Sequence, residues 1–200
     1  MLQLISKHLL RGFNYIQRKF VFYINRIKLI EQKVFIGKGL KLNGKVNIIN
    51  NGHVQIGDNV TINSGVQSNP ISQNLTSIYC SKNAKIIIGN NTGVSGVTLY
   101  SSVAITIGDN VLIGADTKIY DTDFHSVSYK NRLVNDVTIK SKPVSIGDFC
   151  FIGANVTILK GVKIGKGSVI AACSLVNKDV GENEIWGGNP ASKLKENINE

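Results

Sequence analysis

A six-residue period constrains this chain more than any other feature of its sequence. Ile146, Ile152, Ile158, Ile164 and Ile170 follow one another at steps of six. Ile107, Ile113 and Ile119 repeat the step, as do Ile36, Leu42 and Ile48. A second ladder runs two residues earlier, through Val144, Cys150, Val156 and Val162, and through Ile105, Val111 and Thr117. Glycine follows the ladder residue at Gly37, Gly57, Gly89, Gly108, Gly114, Gly147, Gly153 and Gly165. This is neither the helical period nor simple alternation, but it contains short strands, because residues two apart point the same way. The remaining residues make a turn, where Gly, Asn and Asp reach backbone conformations that are costly for others. Three such units close a triangular coil of about 18 residues, and stacked coils pair their strands at about 4.8 Å around one aliphatic column. The periodicity therefore predicts an all-β chain, a parallel β-helix of roughly seven coils, with register slips near residues 50–54 and 64–80. Four consecutive steps of six over 146–170 argue against a β-sandwich with chance spacing.

Residues 1–32 differ. Ile5, Leu9, Phe13, Ile16, Phe20, Ile24 and Ile27 recur at steps of three or four, which predicts an amphipathic helix over 2–30 with Lys and Arg on its other face. Such a helix packs on the domain or on a partner subunit, or lies on an anionic membrane surface. The chain thus divides into the helix at 1–32 and the coiled domain at 33–196.

The hexapeptide pattern stops between Ile119 and Val144, and the segment 120–143 is read as a functional loop. It holds His125, the sole His of the later coils, just after Asp121-Thr122-Asp123-Phe124. Imidazole is suited to take a proton near neutral pH, and Asp121 or Asp123 could fix its tautomer. Asp-x-Asp can also hold a divalent ion, but no third ligand is visible and no metal is expected.

Charge and cysteine content limit the partners. Lys and Arg number 23 against 13 Asp and Glu, a formal net charge of +10. That balance suits nucleic acid, anionic lipid or a phosphorylated small molecule. No nucleic-acid motif accompanies the basic helix, so nucleic acid is not expected as a partner. Cys80, Cys150 and Cys173 are distant from one another, which fits a reducing compartment better than a disulfide framework. Cys150 and Cys173 read as inward or near-inward structural residues. Neither a transmembrane run nor a secretory signal is recognisable, so a cytoplasmic location is expected.

The Ile-Gly hexapeptides, His125 after Asp-Thr-Asp-Phe, and Trp186-Gly187-Gly188-Asn189-Pro190-Ala191 together resemble the hexapeptide-repeat O-acetyltransferases, and among them the bacterial sugar and polysaccharide enzymes. The resemblance spans roughly residues 34–196. It implies a left-handed parallel β-helix, a homotrimer with active sites in grooves between subunits, and acetyl-CoA as the acetyl donor. His125 matches the family's general base, which would deprotonate a sugar hydroxyl for direct attack on the thioester. Ser95 falls nearest the family's oxyanion-stabilising Asn. Ala154 and Ala172 match the backbone positions that bind the cofactor, and Asn177, Lys178 and Lys195 match residues near its distal end, with Lys193 alongside. Trp186 and Pro190 read as closing the column, and Asp58, Asp109 and Asp148 as turn residues.

The basic helix stands where the maltose-type enzymes have a different helical segment. That substitution favours a polysaccharide or lipid-linked sugar acceptor, handled at the inner membrane face with peripheral contact through residues 1–30. The alternatives are an acetyltransferase of serine, an amino sugar amine or an antibiotic, and a non-catalytic β-helix scaffold.

Overall fold

A computed structural model describes residues 19–134 and 139–198. The chain winds through three parallel sheets in turn, with strands numbered β1–β20 in chain order. Sheet A holds β1 (Phe35–Ile36), β4 (His53–Ile56), β7 (Lys85–Ile88), β10 (Ala104–Ile107), β13 (Val144–Ile146) and β16 (Lys163–Ile164). Sheet B holds β2 (Lys41–Asn43), β5 (Thr61–Asn63), β8 (Gly93–Ser95), β11 (Leu112–Ile113), β14 (Phe151–Ile152), β17 (Val169–Ile170), β19 (Glu184–Gly188) and β20 (Ala191–Glu196). Sheet C holds β3 (Asn47–Asn50), β6 (Ser77–Cys80), β9 (Thr98–Ser101), β12 (Lys118–Tyr120), β15 (Thr157–Ile158) and β18 (Leu175–Val176). Through β18 each sheet takes every third strand of the chain, which is the parallel β-helix that the hexapeptide period implies, left-handed as the family resemblance implies.

The ladders point inward, except at the first coil, where Ile36 is 45% exposed. Ile105, Ile107, Ile113, Ile119, Ile146, Ile152, Ile158 and Ile170 are buried, and so are Val111, Val144, Val156 and Val162 of the second ladder. Burying each such side chain contributes about 1.5–3 kcal/mol relative to leaving it in water. Register is kept because like sits on like: Ile113 pairs with Ile152, and Ile152 with Ile170. At the corner between sheets A and B, side chains of one coil bind the backbone of the coil before it. Asp58 Oδ1 accepts from Lys38 N (2.6 Å), Asn90 Oδ1 from Asp58 N (2.8 Å), Asp109 Oδ1 from Asn90 N (2.6 Å) and Asp148 Oδ1 from Asp109 N (2.8 Å). The stacking leaves no room for side chains at the neighbouring position, since a Cβ on Gly108 would lie 2.3 Å from Asp148 Oδ1.

Cys173 differs from its expectation. It is exposed, at a corner with φ +61°, because Ser174 takes the inward place. Cys150 is buried as expected. At the far end β20 folds back antiparallel on β19, and Trp186 packs against the last of the core while Pro190 is exposed in the connecting turn.

The described part of helix α1, residues 19–31, lies against the first coil; the segment 1–18 of the expected helix lies outside the described residues. Leu29 enters the core. The buried Asn25 donates from Nδ2 to Gly44 O (2.8 Å) and accepts from Val46 N (3.2 Å), and Gln32 Oε1 accepts from Asn50 N (2.8 Å). The docked face is therefore Asn25–Leu29–Gln32 and not the apolar stripe read from the sequence, of which Phe20 and Ile27 are both 66% exposed. No helix among the described residues is long and apolar enough to cross a membrane.

Truncating the column should be costly in proportion to burial. Ile152→Ala is expected to lower unfolding free energy by about 2–5 kcal/mol in equilibrium urea denaturation. Lys118→Ala, on an exposed position of β12, should stay within about 0.5 kcal/mol of the parent.

Candidate active site

The column is interrupted without being broken. Ile105 of β10 pairs with Val144 of β13, so the chain leaves after Tyr120 and rejoins sheet A one coil higher. The excursion starts and ends at the edge between sheets C and A, where Thr122 bridges Ser141, whose Oγ donates to Thr122 Oγ1 at 2.8 Å. A short helix α2 (Tyr129–Leu133) lies within it. Arg132 reaches back to donate to Ser126 O and Val127 O, both at 2.8 Å.

His125 is exposed on this excursion. Its backbone N donates to Asp123 O at 2.7 Å, and among the described residues no side chain hydrogen-bonds its imidazole. Both carboxylates expected to orient it are occupied elsewhere. Asp121 is wholly buried: its Oδ2 accepts from Ser101 Oγ (2.7 Å) and Val103 N (2.8 Å), and its Oδ1 from Ser102 N (2.6 Å). It holds the turn of the preceding coil. Asp123 forms an ion pair with Lys160 at 2.6 Å. Lys160 drew no attention in the sequence, because nothing local marks a partner on the next coil.

Aromatic rings crowd the same place. Tyr79, Tyr100 and Tyr120 share one register position on sheet C. Tyr79 stacks on Tyr100 (4.5 Å, 4°), and Phe124 packs on Tyr100 (4.6 Å) and Tyr120 (5.3 Å). Burial pushes the Tyr120 phenol above its ordinary pKa. Tyr79, Tyr100 and Tyr120 are off the six-residue step in the sequence, so only the strand register brings them together.

Ser95 lies at the other edge of sheet C, where β8 hands over to β9. The two edges are separated by strands of three to four residues, roughly 10 Å at the rise of a β-strand. Ser95 Oγ accepts from Asn63 Nδ2 (3.1 Å), and Asn63 Oδ1 accepts from Asn43 Nδ2 (2.9 Å). The ladder opens on a cavity of about 350 Å³ lined by Asn63, Ser95, Leu112 and Phe151 among others. The segment 65–75 is tied over this edge by Asp116, which accepts from Ser72 and from Asn74 Nδ2 (2.8 Å).

Ala154 and Ala172 occupy the same edge as Ser95, on successive coils. A Cβ on Gly153 would lie 2.5 Å from Ala172 N, which shows how closely the two corners stack. Asn177 and Lys178 are exposed after β18, at the His125 edge, and Lys195 is exposed on β20. Lys193 is committed to Glu184 (2.7 Å) and Glu196 (2.6 Å), and its side chain holds the Glu184 carboxyl below the usual carboxylate range. The chain thus places the expected residues at two edges of sheet C, Ser95, Ala154 and Ala172 at one and His125, Asn177 and Lys178 at the other. Among the described residues no group of three or more His, Cys, Asp and Glu could hold a metal ion.

The family model described as bacterial transferase hexapeptide (six repeats) matches residues 143–178, and that of the hexapeptide repeat of succinyl-transferase matches 104–119. The chain is 36% identical over 120 residues to a galactoside O-acetyltransferase of Escherichia coli, covering 60% of this chain and 58% of that one. A hexapeptide-repeat containing acetyltransferase of Vibrio cholerae, solved in complex with acetyl coenzyme A, is 39% identical with a TM-score of 0.55, covering 61% of this chain and 66% of that one. A polySia-specific acetyltransferase, NeuO, is 26% identical with a TM-score of 0.64, covering 82% and 76%. The matches to the first curated relatives span about half of their length, between 44% and 59%.

The thiols give a direct check on this geometry. Burial pushes the pKa values of Cys80 and Cys150 up, so neither is a reactive thiolate in the fold. Native protein should react with a maleimide at Cys173 first, with Cys80 and Cys150 labelled only on unfolding, as read by peptide mass. Because the folded thiols hold their protons above the unfolded value of about 8.5, the stabilisation they give is full below that pH. It should be lost as pH rises through the folded values.

Proposed function

We propose that this chain, which belongs to the hexapeptide-repeat acetyltransferase family, moves an acetyl group from acetyl-CoA to a hydroxyl of a sugar or a cell-surface polysaccharide precursor. The observation that carries the reading is the exposed imidazole of His125 on a loop that interrupts the coils at one edge of sheet C. The acetyl-CoA held by the Vibrio cholerae relative supports the donor, and the relatives named for galactosides and polySia support a carbohydrate acceptor.

In this reading His125 takes the proton of the sugar hydroxyl as the oxygen attacks the thioester carbonyl. The new C–O bond forms, the carbonyl electron pair moves onto oxygen, and collapse breaks the C–S bond. The imidazolium returns its proton to the leaving sulfur. Ser95 supplies an oxyanion donor, because Asn63 fills a lone pair of its Oγ and the hydroxyl hydrogen is available to another acceptor. The small side chains of Ala154 and Ala172 leave a flat corner for an extended arm, and Lys178 and Lys195 are point charges for phosphate.

The half-sites at opposite edges of sheet C favour a homotrimer, in which the His125 edge of one protomer meets the Ser95 edge of the next. Exposed Leu112 and Phe151 beside Ser95 supply apolar contact for such an interface. His125→Ala is expected to cut thiol release from acetyl-CoA, with galactosides and oligosialic acid as acceptors, by about 10²–10⁴-fold. Co-refolding His125→Ala with Ser95→Ala should restore part of the activity, since mixed trimers then hold intact shared sites. An undiminished His125→Ala rate would end this reading.

The exposed face of α1 supports peripheral membrane contact. Phe20, Tyr23, Ile27 and Ile30 share one side of the helix and are 61–73% exposed, with Lys19 and Arg26 beside them. An apolar strip flanked by cations suits an anionic lipid surface. Cosedimentation with phosphatidylglycerol vesicles should fall at least about tenfold for the Tyr23→Ser, Ile27→Ser, Ile30→Ser variant and should weaken in high salt. Equal sedimentation of variant and parent would remove the membrane from the account.

A further inference from the structure

We propose that Phe124 is a positioning residue. A tight turn centred on it, wedged against the sheet C tyrosines and tied by the Asp123–Lys160 pair, aims the imidazole of His125. The inference rests on reading His125 as the base.

The turn is unusual in its backbone. Phe124 has φ +62°, and the N–H of His125 donates to the carbonyl of Asp123 across that single residue at 2.7 Å. A hydrogen bond spanning one residue with positive central φ is a γ-turn of the rare, strained kind. Among the described residues, positive φ elsewhere falls on glycines and mostly on Asn among the rest, at recurring coil corners such as Asn59, Asn91, Asn110 and Asn155, and the corner residue Phe149 shares it at φ +60°. Phe124 lies in the inserted loop, outside that repeat. A bulky aromatic residue holds this conformation only where its surroundings over-determine it.

Those surroundings lie beneath the ring and on both flanks of the turn, while Phe124 stays 38% exposed. The ring packs against Tyr100 at 4.6 Å and 58° and against Tyr120 at 5.3 Å and 75°, and Tyr100 is backed by the parallel ring of Tyr79. Before the turn, Asp123 is held by Lys160 (2.6 Å) through its side chain and by Lys140 O (3.1 Å) through its N–H. After it, Ser126 is buried and its carbonyl accepts from Arg132 (2.8 Å). His125 is thus fixed at both flanks while its ring projects into solvent.

This arrangement accounts for the missing carboxylate partner. An imidazole base has to be held in direction, and an acidic neighbour commonly does so. Here Asp121 and Asp123 are bound to other groups. Direction is set instead through the main chain: the turn dictates where Cβ of His125 points, and the aromatic wedge keeps the turn from relaxing.

The test uses the full chain with His ¹³Cε1 labelling, comparing wild type with Phe124→Gly, which accepts the turn but lacks the ring. Phe124→Leu keeps apolar bulk and stands in should the Gly variant fail to fold, Phe124→Tyr is the conservative rescue, and His125→Ala assigns the signal. The readouts are the His125 cross-peak through a pH titration, and kcat and KM for acetyl-CoA with methyl β-galactoside and oligosialic acid as probes. The expected result is a broadened or split His125 signal in Phe124→Gly, kcat lower by about 10- to 100-fold, KM for acetyl-CoA within twofold, and recovery of the signal and of kcat in Phe124→Tyr. A single unshifted His125 signal in Phe124→Gly, or an unchanged kcat, overturns the proposal. Should wild type release no more thiol than His125→Ala, the acetyltransferase reading fails, and the cross-peak alone then decides whether Phe124 orients the ring.

Discussion

Every feature of this molecule depends on coils stacking in register. Parallel strands about 4.8 Å apart satisfy one another's backbone only if each coil places its aliphatic residue directly above the last. The buried series Ile113, Ile152, Ile170 does this on one face, and Ile119, Ile158, Val176 on another. The corner carboxylates and amides from Asp58 to Asp148 fasten each turn to the next. The interior and these corner ladders carry the stability, so the outer surface is open to other uses.

The inserted loop exploits that freedom. Because Ile105 and Val144 still pair, a long excursion between them leaves the column intact. What would otherwise be a floppy segment is tied to its neighbours by Thr122–Ser141, Asp123–Lys160 and the packing of Phe124 on the tyrosines. A rigid stack thereby presents one exposed imidazole in a defined place. The same logic applies at the open end, where α1 covers the first coil through Leu29 and the amides of Asn25 and Gln32. The helix caps the stack with a polar-anchored face and turns its more apolar face outward.

The family-model matches fit this division of labour. The family models match the hexapeptide coils at 104–119 and 143–178. A periodic core can be kept while the parts outside it change. In this chain those parts are α1, the segment 65–75 tied by Asp116, and the loop that carries His125.

The sequence by itself determined the coil, its inward residues, its turn residues and the place of the interruption, because each is a local pattern repeated along the chain. The place of His125 was legible for the same reason: it falls where the repeat stops. Cys173 was misplaced, since a one-residue difference at a corner decides between the core and solvent. The uses of Asp121 and Asp123, the choice of helix face and the separation of Ser95 from His125 were decided only by tertiary structure. Asp121 meets its donors one coil back, Asp123 meets Lys160 one coil on, and α1 docks through hydrogen bonds to Gly44, Val46 and Asn50. Such contacts join residues about 20 to 40 apart, and no local periodicity encodes which of two neighbouring carboxylates a distant donor will take.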